Sequence, residues 1–270
     1  MRVVIYTYGV GAGHLARVNA VVKGFSRTNL SQDISVHAPR TKYRGLLDPQ
    51  ARLVSLDELP KETDIFICDW KVDGFVESLP HNYARLWVGL RRLGRIPSAF
   101  PRRFFVVAVE PSVRGDLCIW PVISTWKDEL VSEAEFRAIT RTESGAKVAL
   151  LCENGCYEKH PTMVLREDLI GDGHIGVRCS NSPYARRLRD LDYWPIARLF
   201  PHAARLVIGG GYNSIHEAIC FSSPERLVTI HVGGDDQALR LKKYTDWWEL
   251  SPGDSRGEEL ASILAGELKA

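Results

Sequence analysis

Leu206-Val207-Ile208-Gly209-Gly210-Gly211-Tyr212-Asn213-Ser214-Ile215-His216-Glu217-Ala218 runs from a short apolar segment through three glycines into apolar residues at helical spacing. Strand, glycine turn and helix in that order opens a parallel α/β unit. Three consecutive glycines are costly in chain entropy, so close approach of the backbone to a phosphate is one reason for Gly210 and Gly211. Ser214 and Glu217 also have the spacing of a capping box, which explains Glu217 without a ligand; the alternative is a carboxylate that accepts hydrogen bonds from ribose hydroxyls. A further strand, Arg226–His231, leads into Gly233-Gly234-Asp235-Asp236-Gln237. There Asp235 suits a helix N-cap, while Asp236 and Gln237 offer the polar groups that a sugar ring demands.

The same arrangement stands at the start of the chain. Strand Arg2–Tyr8 precedes Gly9-Val10-Gly11-Ala12-Gly13-His14, and Leu15, Val18, Val21, Val22 and Phe25 continue at helical spacing. Gly11 and Gly13 let the backbone turn and approach a ligand, and the N–H groups of the helix start favour an anion. The dinucleotide fingerprint needs a small residue where His14 stands, and no acid follows the strand ending at Ala38, so NAD binding is disfavoured; Arg40 leaves a thin case for NADP. An imidazole at a strand-to-helix turn is placed for general acid–base work, against the plainer reading that it caps or packs the helix. Asp69 and Glu110, each after a strand, are placed either to orient that imidazole or to serve as ordinary loop carboxylates.

Further strands are expected at Ile34–Ala38, Asp64–Cys68, Arg85–Gly89, Phe104–Val109, Leu117–Pro121, Lys147–Cys152, Thr162–Leu165, His174–Arg178 and Arg205–Ile208, with a helix over Lys127–Arg141. The fold class is α/β, in two Rossmann-like lobes with a ligand cleft between them: residues 1–123 on the acceptor side and 124–270 binding the donor. The final segment reads as a helix opened by Ser255 and Glu258, with Leu260, Ile263, Leu264 and Leu268 on one face that must cover a lobe surface.

Composition agrees with a globular chain. The 270 residues are 45% hydrophobic and 25% charged, and 35 basic against 33 acidic residues leave a net charge of +2. That balance argues against a nucleic-acid coat, and no nucleic-acid partner is expected. No signal peptide or long apolar span is evident, and six scattered cysteines read as thiols of a reducing cytoplasm. Arg91, Arg92, Arg95, Arg102 and Arg103 lie among Trp87, Phe100, Phe104 and Phe105; they are either solvated or a site for an anionic acceptor, including peripheral contact with the inner face of a membrane. Trp247-Trp248 is expected under the last helix. Asp190-Leu191-Asp192 is expected to cap the helix that follows rather than to hold a metal.

Three stretches, Gly9–Arg17 (GVGAGHLAR), Leu206–Ala218 and Gly233–Gln237, resemble the glycosyltransferases of the GT-B fold, especially the branch of the lipid-linked-peptidoglycan transferase MurG. Val109–Leu130 is similar to that family's crossing between lobes. His14 with Arg17 is similar also to nucleotide-sugar hydrolases of the same fold, in which a histidine activates water. The resemblance implies a nucleotide sugar as donor, a UDP-sugar first, with Gly210, Gly211, Asn213 and Ser214 at the diphosphate, Glu217 at the ribose, and Asp236 and Gln237 at the sugar. It implies His14 and an unidentified acceptor on the first lobe, and no metal or other cofactor; Arg17, Arg91 and Arg92 are the residues expected at an acceptor or anion there. An epimerase or hydrolase, and a silent sugar-nucleotide-binding or scaffold protein, are the alternatives. Two departures accompany it: the chain is short for that family, and Glu153-Asn154-Gly155-Cys156 stands where a glycine pair would hold phosphate. A carboxylate there implies weakened, altered or lost donor binding.

Overall fold

A computed structural model describes residues 1–8, 12–31, 33–41, 44–69, 71–93, 100–153, 169–180, 190–191, 193–230 and 235–269. The chain forms two compact units: Met1–Ser124 with Ser255–Ala270, and Thr125–Asp254.

The first unit holds β1 (Arg2–Thr7), α1 (Ala12–Arg27), β2 (Asp33–His37), β3 (Arg52–Leu53), β4 (Thr63–Asp69), α2 (Gly74–Ser78), β5 (Ala84–Arg91), β6 (Phe104–Ala108) and β7 (Leu117–Cys118). The strands form one parallel sheet in the order β3-β2-β1-β4-β5-β6-β7. Val3 to Thr7 and Ile65 to Asp69 are buried without alternation, as expected of central parallel strands covered on both faces. The order reverses between β1 and β4, and ligands of open α/β sheets bind at such a switch, beyond the carboxyl ends of the strands.

One side of the sheet carries an aromatic core. Trp87 lies 5.0 Å from Phe66 and 5.3 Å from Phe104, centroid to centroid. Arg103 stacks on Trp87 at 3.9 Å and donates to the carbonyls of Leu79 and Val76. These aromatics therefore belong to packing, and Arg103 is bound to the backbone. Arg91 likewise donates to the Arg114 carbonyl; Arg95 lies outside the described residues.

The second unit comprises α3 (Glu133–Thr140), β8 (Lys147–Glu153), β9 (His174–Ser180), β10 (Asp190–Leu191), β11 (Arg205–Gly209), α4 (Tyr212–Phe221), β12 (Leu227–Ile230) and α5 (Asp235–Trp248). Among the described residues its sheet is also parallel, ordered β10-β9-β8-β11-β12, with the reversal between β8 and β11. The helix expected over Lys127–Arg141 is shorter. Leu130 turns extended, and α3 begins after a capping box made by Ser132 and Glu135.

Several expectations are corrected. The last helix, α6 (Gly257–Glu267), packs against α1 of the first unit, so Ser255–Ala270 leave the second domain to which 124–270 assigned them. Its buried face is Leu260, Ala261, Leu264 and Ala265. Arg256, not Ser255, is the N-cap; the Ser255 hydroxyl donates to the Ile123 carbonyl at 2.9 Å. A side chain on Gly24 would meet the Gly257 carbonyl at 2.2 Å, so the absence of a Cβ permits this crossing. Trp247, expected under the last helix, stacks on His216 within the second unit. Asp190 opens strand β10, and the 3₁₀ helix Ile196–His202 has Pro195 as its N-cap; Asp192 and Thr162–Leu165 lie outside the described residues.

Candidate functional site

In the first unit the switch point brings together side chains far apart in sequence. Parallel pairing sets Thr7 beside Asp69 at the carboxyl ends of β1 and β4, and the first two turns of α1 carry His14 and Arg17 over the same edge. Asp69, 1% exposed, accepts from Arg17 Nε at 2.6 Å on Oδ1 and from Arg17 Nη2 at 2.8 Å and Thr7 Oγ1 at 3.0 Å on Oδ2. His14 Nδ1 is 2.9 Å from the same Oδ2. Burial opposes the Asp69 charge, but the Arg17 guanidinium and His14 outweigh it and hold the carboxyl far below the usual carboxylate range. Arg17 Nη2 also stands 3.2 Å from Nδ1, but it donates to Asp69 Oδ2 at the shorter 2.8 Å, so we assign the Nδ1 proton to the nearer, ionised carboxylate, which can only accept, and the lone pair to Nε2.

Burial pushes the His14 pKa below its ordinary value against the pull of Asp69, with Arg92 and Arg17 adding to the fall. The imidazole is thus neutral near pH 7, partly exposed at 15%, and oriented by a buried acid. This is the arrangement of a general base. Arg17 is 1% exposed with its fork on Asp69, which makes it a support of that acid rather than an open anion site. Arg92, partly buried, acts on His14 through its charge. Glu110 follows β6 and is fully buried, with one oxygen on the Leu93 N–H at 2.5 Å; the acid paired with His14 is Asp69. Gly13 is exposed beside His14, while Gly11 lies outside the described residues.

In the second unit β11 delivers Gly209 to the switch point, and Gly211 is the N-cap of α4 without a side-chain cap. Ser214 is therefore already inside the first turn, and the capping-box reading of Ser214 and Glu217 gives way. Glu217, 5% exposed, instead accepts from Thr125 Oγ1 at 3.1 Å. Asn213 is buried at the same helix start and Ser214 partly so. Gly210 has a packing reason for being glycine: a Cβ there would stand 2.8 Å from the Gln237 carbonyl oxygen and 3.0 Å from Leu241 Cγ.

The first turn of α5 thus lies directly on the glycine loop. Asp236 is 30% exposed and pairs with Arg240 at 3.0 Å. Gln237 is partly buried, and its Oε1 has no hydrogen-bond partner among the described residues. Gly233 and Gly234 lie outside the described residues, as do 154–168, where the glycine pair of the resemblance would fall.

Sequence reasoning passed over Arg240 and Thr125. The first had a readable signal, an acid–arginine pair at i,i+4 with Asp236. The second had none, since Thr125 and Glu217 are 92 residues apart. No group of three His, Cys, Asp or Glu residues close enough to hold a metal occurs among the described residues, and no helix among them is long and apolar enough to cross a membrane.

No protein-family model matches the chain, and no curated protein is significantly similar to it in sequence. Solved structures are similar in fold. The spinosyn forosaminyltransferase SpnP superposes with a TM-score of 0.55 at 11% identity, over 100% of this chain and 95% of that one. SsfS6, a glycosyltransferase of Streptomyces sp. SF2575, gives 0.53 at 12%, over 100% and 96%. The glycosyltransferase SnogD from Streptomyces nogalater gives 0.50 at 12%, over 100% and 94%. Two Rossmann-like α/β units, each built on a parallel sheet with a reversal of strand order, make this a GT-B fold.

Proposed function

We propose that this GT-B chain is a glycosyltransferase that moves a sugar from a nucleoside diphosphate sugar to a hydroxyl acceptor, with His14 as the base. The observation that carries the reading is the His14–Asp69 pair, a neutral imidazole fixed by a buried ionised acid at the switch point of the first sheet. His14 Nε2 takes the acceptor hydroxyl proton as the oxygen bonds to the anomeric carbon. The bond from that carbon to the phosphate oxygen breaks, and the diphosphate leaves with the electron pair.

Donor binding is assigned to the second unit. Backbone N–H groups at Gly211 and the start of α4 face the diphosphate, Glu217 the ribose, and Asp236 with Gln237 the sugar. The helix start meets the charge of the leaving group, so the proposed reaction uses no metal. The stretches Gly9–Arg17 and Leu206–Ala218 support the peptidoglycan-transferase-like branch and a UDP-sugar as the first donor to test.

A thermal-shift screen against UDP-, dTDP-, GDP- and ADP-sugars tests donor binding, and product analysis with and without added acceptors follows. Glu217→Ala is expected to weaken binding about tenfold, and His14→Ala to cut turnover about 10²- to 10⁴-fold with binding kept. No stabilisation by any nucleotide sugar removes the donor-site assignment. Free sugar released at the full rate without acceptor makes the His14–Asp69 pair a water-activating device and the protein a hydrolase.

A further inference from the structure

We infer that Arg240 is a positioning residue that locks the Gly210–Gly211 peptide of the donor loop with its N–H turned toward the diphosphate. The inference rests on the donor-site reading above. Arg240 is fully buried on α5, and its Nη1 donates both to Asp236 Oδ2 at 3.0 Å and to the Gly210 carbonyl at 3.3 Å. Its guanidinium carbon lies 5.9 Å from the ring centre of Tyr212, the first residue of α4. One side chain thus joins the acid assigned to the donor sugar, the glycine loop and the helix start that follows it.

The geometry of the peptide unit gives this contact its meaning. A trans peptide is planar, with its C=O and N–H pointing in opposite directions. Arg240 draws the Gly210 carbonyl toward α5, so the Gly211 N–H is directed away from α5. Gly211 is the N-cap of α4, where an oriented N–H adds to the anion-favouring end of the helix. A peptide between two glycines is also the one most easily turned over, because neither side has a Cβ to resist. Turned over, it would put a carbonyl oxygen where the N–H should be and repel the phosphate.

The charge of Arg240 serves the same end. Asp236, unpaired, would oppose a diphosphate held nearby; paired, it contributes a hydrogen-bond acceptor without a net negative field. A buried arginine behind the loop needs such partners, since an uncompensated guanidinium would be costly to bury.

The test measures calorimetric affinity for UDP, dTDP, GDP and ADP, and for the nucleoside of whichever binds most tightly, in the wild type, Arg240→Met and Arg240→Lys. Arg240→Met is expected to weaken the diphosphate about tenfold or more while the nucleoside stays within about twofold. Arg240→Lys, which keeps the charge but loses the planar fork, should fall between the two. Equal losses for diphosphate and nucleoside, or no loss for either, overturn the inference and leave the donor site standing. A wild type that binds none of the four diphosphates overturns the donor-site reading and the inference with it. Should Arg240→Met fail to fold, Arg240→Lys decides, and an unchanged diphosphate-to-nucleoside ratio in that variant refutes the lock.

Discussion

Replacing Asp69 by Asn separates the two tasks of that side chain. In the wild type one carboxylate receives Arg17 Nε at 2.6 Å, Arg17 Nη2 at 2.8 Å, Thr7 Oγ1 at 3.0 Å and His14 at 2.9 Å, with Arg17 and Asp69 each 1% exposed. Removing the negative charge leaves a buried guanidinium uncompensated, which costs about 3–5 kcal/mol. The remaining amide oxygen still accepts from Arg17, so the lower end, about 3 kcal/mol, is expected. Denaturant unfolding of Asp69→Asn, Arg17→Leu and the double variant measures this, and the double variant should lose less than the sum of the singles.

The pH dependence has a definite sign. The folded pKa of Asp69 is lowered, so its contribution is fully present above the unfolded value near about 4 and is lost as pH falls through that value toward the folded one. The gap between wild type and Asp69→Asn should therefore close on acidification. If an Asn amide N–H faces His14 Nδ1, the imidazole must carry its proton on Nε2 instead, and the base is lost; a fall in turnover on the order of 10⁴ is expected, as in hydrolase triads. Asp69→Asn within about 0.5 kcal/mol of the wild type at pH 7, or with full turnover, would refute both halves of the argument.

Three further outcomes follow from positions on α1. His14 has a lowered pKa, so the rate should rise with pH to a plateau whose inflection lies below about 6.5, and an inflection above about 7 would contradict a desolvated imidazole. By the same lowering, His14 contributes to stability fully above the unfolded value, and that contribution declines as pH falls toward the folded one. Gly24→Ala places a methyl 2.2 Å from the Gly257 carbonyl and should destabilise the first unit by about 1–3 kcal/mol, with faster proteolysis within 255–269; unchanged melting and proteolysis would show that α6 is not seated there.

How far the sequence was legible depended on the kind of contact. Central strands such as β1, β4 and β8 were readable because both faces are buried and the residues are apolar without alternation. β3 and β10, two residues each at sheet edges, left no pattern to read. Capping-box spacing misled twice, at Ser214–Glu217 and Ser255–Glu258, because Glu217 bonds Thr125 and Ser255 bonds Ile123, partners 92 and 132 residues away. His14 and Asp69 could be placed at one sheet edge from their positions after strands, but the fork of Arg17 on Asp69 needed the β1–β4 pairing that only the fold supplies. Gly210 looked like a ligand-facing glycine, while the structure adds a packing reason in α5.

The return of the chain to its first unit has a consequence for synthesis. Residues 125–254 are an insertion within the first unit, so translation completes the second unit before α6 exists to cover α1. Until Leu260 and Leu264 arrive, the nascent first unit exposes the apolar surface they later bury. A fragment ending near Ser124 would carry that bare surface permanently. Production of the first unit alone calls for residues 255–267 to be joined back to it by a short linker in place of the insertion.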